Sequence, residues 1–199
     1  ELKLRFGIDA FIVDASTLVD ELEHSSSMGA PKAWIASYQT LRPPKSWRPS
    51  DTPPPKQASG RVRLAHLLDE HAEEEPLVDL VVFDEAHYMR NPESSVHRLG
   101  EMLQKVSQQR VLLSATPINL HNDDLFHLLQ LCDPEHFQYP SSFQELLLAN
   151  QPLVSARDAA LNPSSSAEEI LTYVKWAADT DLLRNSRQLA TLLEVPPTD

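Results

Sequence analysis

The sequence holds a single cysteine, Cys132. No internal disulfide framework can form, and a reducing compartment fits. Glycine is nearly as scarce, with Gly7, Gly29, Gly60 and Gly100 the whole set and none of them followed by lysine. A Gly-x-x-x-x-Gly-Lys-[Ser/Thr] loop, whose successive backbone amides and lysine cradle phosphates, is therefore absent. No stretch approaches the roughly 18 consecutive apolar residues of a membrane-spanning helix. The opening, Glu1-Leu2-Lys3-Leu4-Arg5-Phe6, has neither an initiator methionine nor the apolar run of a signal peptide, so the chain is expected to begin inside a larger cytoplasmic gene product. Positive charge is also in deficit: 17 Lys and Arg stand against 29 Asp and Glu, a net charge of −12. That balance argues against a stand-alone nucleic-acid clamp, which needs clustered cations to neutralise phosphates.

What remains is ordinary globular material. The 199 residues are 41% apolar and 23% charged, and a chain of that length buries roughly 70% of its unfolded surface. Four short apolar runs, Ala10–Val13, Ala33–Ala36, Leu80–Phe83 and Val111–Leu113, are continuous rather than alternating. This pattern predicts parallel strands covered on both faces. Helical patterns lie between them. Arg61–Glu74 sets Leu64, Leu67, Leu68 and His71 on one side, and Val96, Leu99, Leu103 and Val106 form the stripe of a helix predicted to start at Asn91-Pro92. Asn122-Asp123-Asp124 predicts the cap of a third helix carrying Leu125, Leu128 and Leu129, with Cys132 expected as a buried apolar residue at its end. Strands alternating with helices predict a three-layer α/β domain.

Two regions break the alternation. Residues 43–55 contain six prolines among Ser, Lys, Arg and Asp, the composition of a stiff exposed loop. Its Arg42, Lys45, Arg48 and Lys56 either touch a polyanion or are simply solvated. From Ser141 onward strand signals stop, and residues 143–149, 167–178 and 180–193 look helical with a break at Asn162–Ser166. The expected division is residues 1–140 for the α/β part and 141–199 for a helical extension, a candidate surface for a protein partner.

The feature richest in chemistry is Val81-Val82-Phe83-Asp84-Glu85-Ala86-His87. A buried strand runs straight into two acids and a histidine, and ligands of open α/β sheets gather at the carboxyl ends of strands. Adjacent carboxylates there suit a nucleotide-bound metal: one holds the hydration shell of Mg²⁺ while the other orients or deprotonates an attacking water. The competing reading is an acidic loop that merely stabilises a turn. The next strand ends in Ser114-Ala115-Thr116-Pro117. Its hydroxyls can hydrogen-bond the acidic strand end, although Ser, Thr and Pro also favour plain turns. Cys132 and His136, with His121 and His127 nearby, lack the spacing of a structural zinc site.

Asp84-Glu85-Ala86-His87 resembles motif II, the Walker B box, of superfamily 2 helicases, and Ser114-Ala115-Thr116 resembles their motif III. The flanks His87–Pro92 and Thr116–Phe126 are similar to those of the Swi/Snf-type DNA translocases, and Ile35–Leu41 is similar to that family's motif Ib. Bacterial members look most alike. The resemblance covers roughly residues 1–147, and it implies an incomplete RecA-like first motor lobe, a parallel sheet flanked by helices, with residue 1 falling just after motif Ia.

By matching position, the resemblance implies that Asp84 coordinates the Mg²⁺ of Mg-ATP and Glu85 activates the hydrolytic water. It further implies that His87, Ser114 and Thr116 couple nucleotide state to DNA, and that Ser37, Tyr38, Gln39 and Thr40 lie along a phosphodiester strand. Double-stranded DNA and a second RecA-like lobe are the implied partners, and a bacterial, nucleoid-associated setting the implied location. Leu120 and His121 depart from the asparagine pair usual after the threonine-proline turn. Without the phosphate cradle and the second lobe, the chain alone is expected to be inactive. Two other readings remain open on the residues: an RNA or repair helicase, which shares the Asp-Glu-x-His box, and a degenerate lobe serving as a docking module.

Overall fold

The computed structural model describes residues 2–24, 32–50, 52–55, 57–115 and 122–194. They form two compact units, Glu1–Pro134 and Glu135–Asp199.

The first unit runs α1 (Leu2–Phe6), β1 (Asp9–Ile12), α2 (Ala15–His24), β2 (Lys32–Ile35), α3 (Tyr38–Leu41), α4 (Gly60–Glu70), β3 (Val78–Phe83), a 3-10 turn (Ala86–Met89), α5 (Ser95–Lys105), β4 (Ser107–Leu112) and α6 (Asn122–Cys132). All four apolar runs become strands, and both pairings are parallel. Asp9 faces Lys32 and Ile12 faces Ile35 in one pair; Val78 faces Ser107 and Phe83 faces Leu112 in the other. Parallel neighbours need a crossover, supplied by α2 in the first pair and by the 3-10 turn with α5 in the second. This is a partial RecA-like α/β arrangement, in which the described strands stand as two separate two-stranded pairs rather than one continuous sheet.

The core lies between the strands and the helices on one side. Val19, Leu64, Leu68, Leu99 and Val106 bury against Trp34 and Leu77, while Phe83, Ala86, Met89, Leu128 and Leu131 form a second cluster under Val81 and Leu112. Local chemistry fixes the helix starts. The Asp14 carboxylate accepts the Thr17 amide at 2.9 Å to begin α2, and the hydrogen bonds from Thr17 hold its carboxyl below the usual aspartate value. At the start of α4 a Cβ on Gly60 would fall 2.2 Å from Ser16 Oγ and 2.7 Å from Ser16 N, so only glycine lets α4 seat on the first turn of α2.

Several expectations are corrected. The strands are covered on one face only: Leu80, Val82, Val111 and Leu113 are 39 to 53% exposed, and Ile12 and Ile35 are exposed as well. The continuous apolar pattern calls for two covering layers, and the second is not among the described residues. Helix α5 begins at Ser95 rather than after Asn91, because Ser94 Oγ accepts the His97 amide at 3.0 Å while Asn91 Oδ1 is engaged by the Glu93 amide in its own turn. Helix α4 ends at Glu70, where the His71 ring bonds the Leu67 carbonyl. Cys132 is exposed, not buried. The proline-rich segment is less free than its composition implies: Pro43 is fully buried, Trp47 packs on the core, and Arg98 donates to the Trp47 carbonyl at 3.1 Å. Arg42, Lys45 and Arg48 are exposed, and Lys56 lies outside the described residues.

The second unit is helical: α7 (Pro140–Leu161), α8 (Ala167–Ala178) and α9 (Arg187–Glu194). Its core is Ala156, Val174, Ala177 and Leu189 with Leu153, Ile170 and Tyr173. Helix α7 runs on through Pro152, which gives up one amide donor but is itself buried. Ser166 caps α8 by accepting the Glu169 amide at 3.2 Å, the Ser-x-x-Glu start signal. Residues 180–186 are turns, so the last helix starts later than its pattern implied. No described helix is long and apolar enough to cross a membrane.

Candidate active site

The two strand ends that carry the chemistry are strapped together. The Leu113 amide donates to the Phe83 carbonyl and the Ala86 amide to the Leu113 carbonyl, each at 2.8 Å. This pairing sets Asp84 and Glu85 at the carboxyl end of β3 beside Ser114, which is half-buried at the end of β4. Both acids are exposed. Thr116, with Pro117 to His121, lies outside the described residues.

Glu85 has left-handed backbone angles, φ 51° and ψ 46°, the only positive φ at a non-glycine position among the described residues. Such a residue stores about 1 kcal/mol and persists where its surroundings hold it. The hold is visible. The peptide between Asp84 and Glu85 is gripped at both ends: its N–H donates to Asp84 Oδ1 at 2.9 Å, and its carbonyl accepts the Tyr38 hydroxyl. Tyr38 begins α3 and packs on both core clusters. Burial and the neighbouring negative charges of Asp84 and Glu85 push its phenol up to about 12, so it stays a donor across neutral pH.

His87 is half-buried and rests on Tyr88 with ring centres 4.4 Å apart. Glu85 Oε2 lies 3.2 Å from His87 Nδ1 but off the line of an N–H bond, so the two are close without a hydrogen bond. Tyr88 meets Tyr38 edge to face at 6.5 Å. The 3-10 turn below is anchored from α5: His97 Nδ1 donates to the Met89 carbonyl at 2.6 Å, and its Nε2 lies 3.6 Å from Glu101. Burial opposes the charge on His97, yet the Glu101 carboxylate and the Met89 carbonyl outweigh it and raise the imidazole above its usual value. Arg90, on the same segment, pairs with Asp124 of α6 at 3.8 Å.

Of the four residues read as DNA-facing, Ser37, Gln39 and Thr40 are exposed at the end of β2, where Thr40 Oγ1 donates to the Ser37 carbonyl at 2.8 Å. The fourth, Tyr38, turns inward to Asp84. The spacing of the sequence carried no sign of that bond, nor of His97 as the anchor of the turn. His97 sits beside the apolar stripe of α5, and its i,i+4 relation to Glu101 was the one available signal.

The model of the SNF2-related domain matches residues 13–189. The chain belongs to this family. Its relatives include the RNA polymerase-associated protein RapA of Stutzerimonas stutzeri, 32% identical over 131 residues, 58% of this chain and 14% of the relative. An uncharacterized ATP-dependent helicase, YqhH, of Bacillus subtilis is 36% identical over 67 residues, 34% of this chain and 12% of its own length. The RapA of Haemophilus influenzae is 34% identical over 95 residues, 46% of this chain and 10% of its own length. The chain thus spans a small part of the curated relatives it matches. No solved structure matches it.

Proposed function

We propose that this SNF2-related chain is the larger part of the first lobe of an ATP-dependent motor that tracks along double-stranded DNA, and that it is inactive without a phosphate-binding loop and a second lobe. Residues 1–140 form the motor part in this reading, and residues 141–199 a helical extension that takes a protein partner. The observation that carries it is a pair of exposed carboxylates at the carboxyl end of β3, strapped to the hydroxyl-bearing end of β4, inside a chain matched by the SNF2-related domain over residues 13–189.

The donor set fits a magnesium nucleotide, because hard cations take carboxylate oxygens, directly or through water. Mg-ATP, when bound, supplies the phosphoryl group and the charge that polarises it. Asp84 would hold the metal's hydration shell. Glu85 would orient the attacking water and accept its proton at the carboxylate. His87, 3.2 Å from Glu85 and resting on Tyr88, ties that carboxylate to the aromatic pair that leads back to α3. Ser114, just past the end of β4, and Thr116, two residues on in the sequence, would complete the coupling. Ser37, Gln39 and Thr40 face the phosphodiester strand, and the exposed Arg42, Lys45 and Arg48 supply positive charge beside them in a chain that is otherwise acidic. Two relatives bear names that associate them with RNA polymerase, and a motor on duplex DNA would meet such an enzyme as an obstacle.

Steady-state ATPase of the full-length gene product, with duplex DNA, single-stranded DNA and RNA as alternative effectors, tests the proposal. Strong stimulation by duplex DNA is expected, and Glu85→Gln should abolish turnover while sparing nucleotide binding. Stimulation by RNA or single strands alone would move the protein to another branch of superfamily 2. No hydrolysis under any condition would leave a docking module.

A further inference from the structure

The two hydrogen bonds that hold the Asp84–Glu85 peptide bear on more than the identity of the two acids. That peptide sits where an extended strand gives way to a left-handed residue. Its orientation decides at once the ψ of Asp84 and the φ of Glu85, and hence the direction of both carboxylates. An αL peptide at a non-glycine residue competes with a flipped form in which φ returns to negative values and the backbone strain is released. One restraint on the flip, the bond to Asp84 Oδ1, comes from a carboxylate that has its own task at the site. The other comes from outside the strand end: the Tyr38 hydroxyl on the Asp84 carbonyl.

We infer that Tyr38 is a positioning residue for Asp84 and Glu85, its hydroxyl locking the Asp84–Glu85 peptide in the orientation that aims both carboxylates at the nucleotide side. The inference rests on the hydrolytic roles proposed for those acids. It gives Tyr38, one of the four residues the family resemblance sets along DNA, a task inside the lobe. Its sequence neighbours Ser37, Gln39 and Thr40 are exposed, while its ring is half-buried between the two core clusters. A displacement of α3 at the DNA-facing surface therefore reaches the acids through one hydrogen bond. The edge-to-face contact of Tyr38 with Tyr88, and of Tyr88 with His87 beside Glu85, gives a second contiguous route to the same carboxylate.

Tyr38→Phe removes the hydroxyl and keeps the ring, so the core packing is preserved. In the full-length product, kcat for DNA-stimulated hydrolysis should fall about tenfold, the size expected when a net hydrogen bond of roughly 1.5 kcal/mol is lost from the reactive arrangement. KM for duplex DNA should stay unchanged, and the melting temperature should fall by no more than the few degrees that one hydrogen bond accounts for. A role as a DNA contact would instead raise KM and leave kcat alone; a purely structural role would lower the melting temperature without the split. A crystal structure of the variant supplies the second readout, in which Glu85 should leave the left-handed region. If the wild-type product proves not to hydrolyse ATP, the motor reading fails, and this backbone readout still decides whether Tyr38 holds the peptide. An unturned peptide, or an unchanged kcat in a wild-type-active enzyme, overturns the inference.

Discussion

Glu85 occupies backbone angles at which glycine or asparagine would be most at ease, and it does so at the end of a strand with two hydrogen bonds fixing the preceding peptide. Stability conceded at one position, held by neighbours, is what a residue retained for its carboxylate looks like. His97 is the counterpart that contributes stability. Its raised imidazole value means that the folded state favours the charged ring, so this contribution is full below the ordinary imidazole value and fades as pH rises through the folded one. Glu101, lowered by its hydrogen bond from His97 despite burial, contributes above the ordinary carboxyl value and fades as pH falls. The pair should therefore support the 3-10 turn best in weak acid, between roughly 4.5 and 6.5. Comparing melting temperatures of the chain and of His97→Gln across a pH series checks this. The gap should be widest in that window and shrink on the alkaline side, and a gap independent of pH would leave only the neutral hydrogen bond to Met89.

At the scale of elements, the seating of α4 on α2 depends on the missing side chain of Gly60. Gly60→Ala should destabilise the chain by about 1–3 kcal/mol, since the new methyl group meets backbone at Ser16 and not the far end of a flexible side chain. Thermal melting reads this directly, and an unaltered transition would mean that α2 and α4 can slide apart at no cost. Elements were also where the sequence spoke most clearly. Strand positions were legible because continuous runs such as Leu80–Phe83 admit few alternatives in an α/β pattern. Helix ends were less so: Asn91-Pro92 carries a good start signal, and Ser94 outcompetes it because its hydroxyl reaches the His97 amide. The acids of the site were legible as a motif at a strand end. The Tyr38 bond joins residues 46 positions apart, and no local pattern encodes a contact of that span.

At the largest scale, the first unit has a two-sided character that neither residue nor element shows alone. Helices cover one face of the β3–β4 pair, and the other face offers Leu80, Val82, Val111 and Leu113 to solvent. Contiguous exposed apolar strand surface invites association. The isolated chain is accordingly expected to bind a hydrophobic dye such as ANS and to self-associate at high concentration. Val82→Thr with Val111→Thr should lower dye fluorescence without loss of helical circular dichroism, since both side chains point away from the packed face. Dye binding that survives the pair of substitutions would locate the adhesive surface elsewhere, for instance on the exposed Leu148 and Leu161 of α7.

The one thiol of the protein has a practical value that its solitude confers. Cys132 closes α6 with its side chain exposed, while Leu128 and Leu131 of the same helix press against Ala86 and Met89 just beyond the two acids. Within this chain a maleimide fluorophore would attach at that position alone, with no engineered background to remove. It would ride on the helix that backs the acidic turn, so a shift of that turn, such as the one expected in Tyr38→Phe, could be followed as a change in emission.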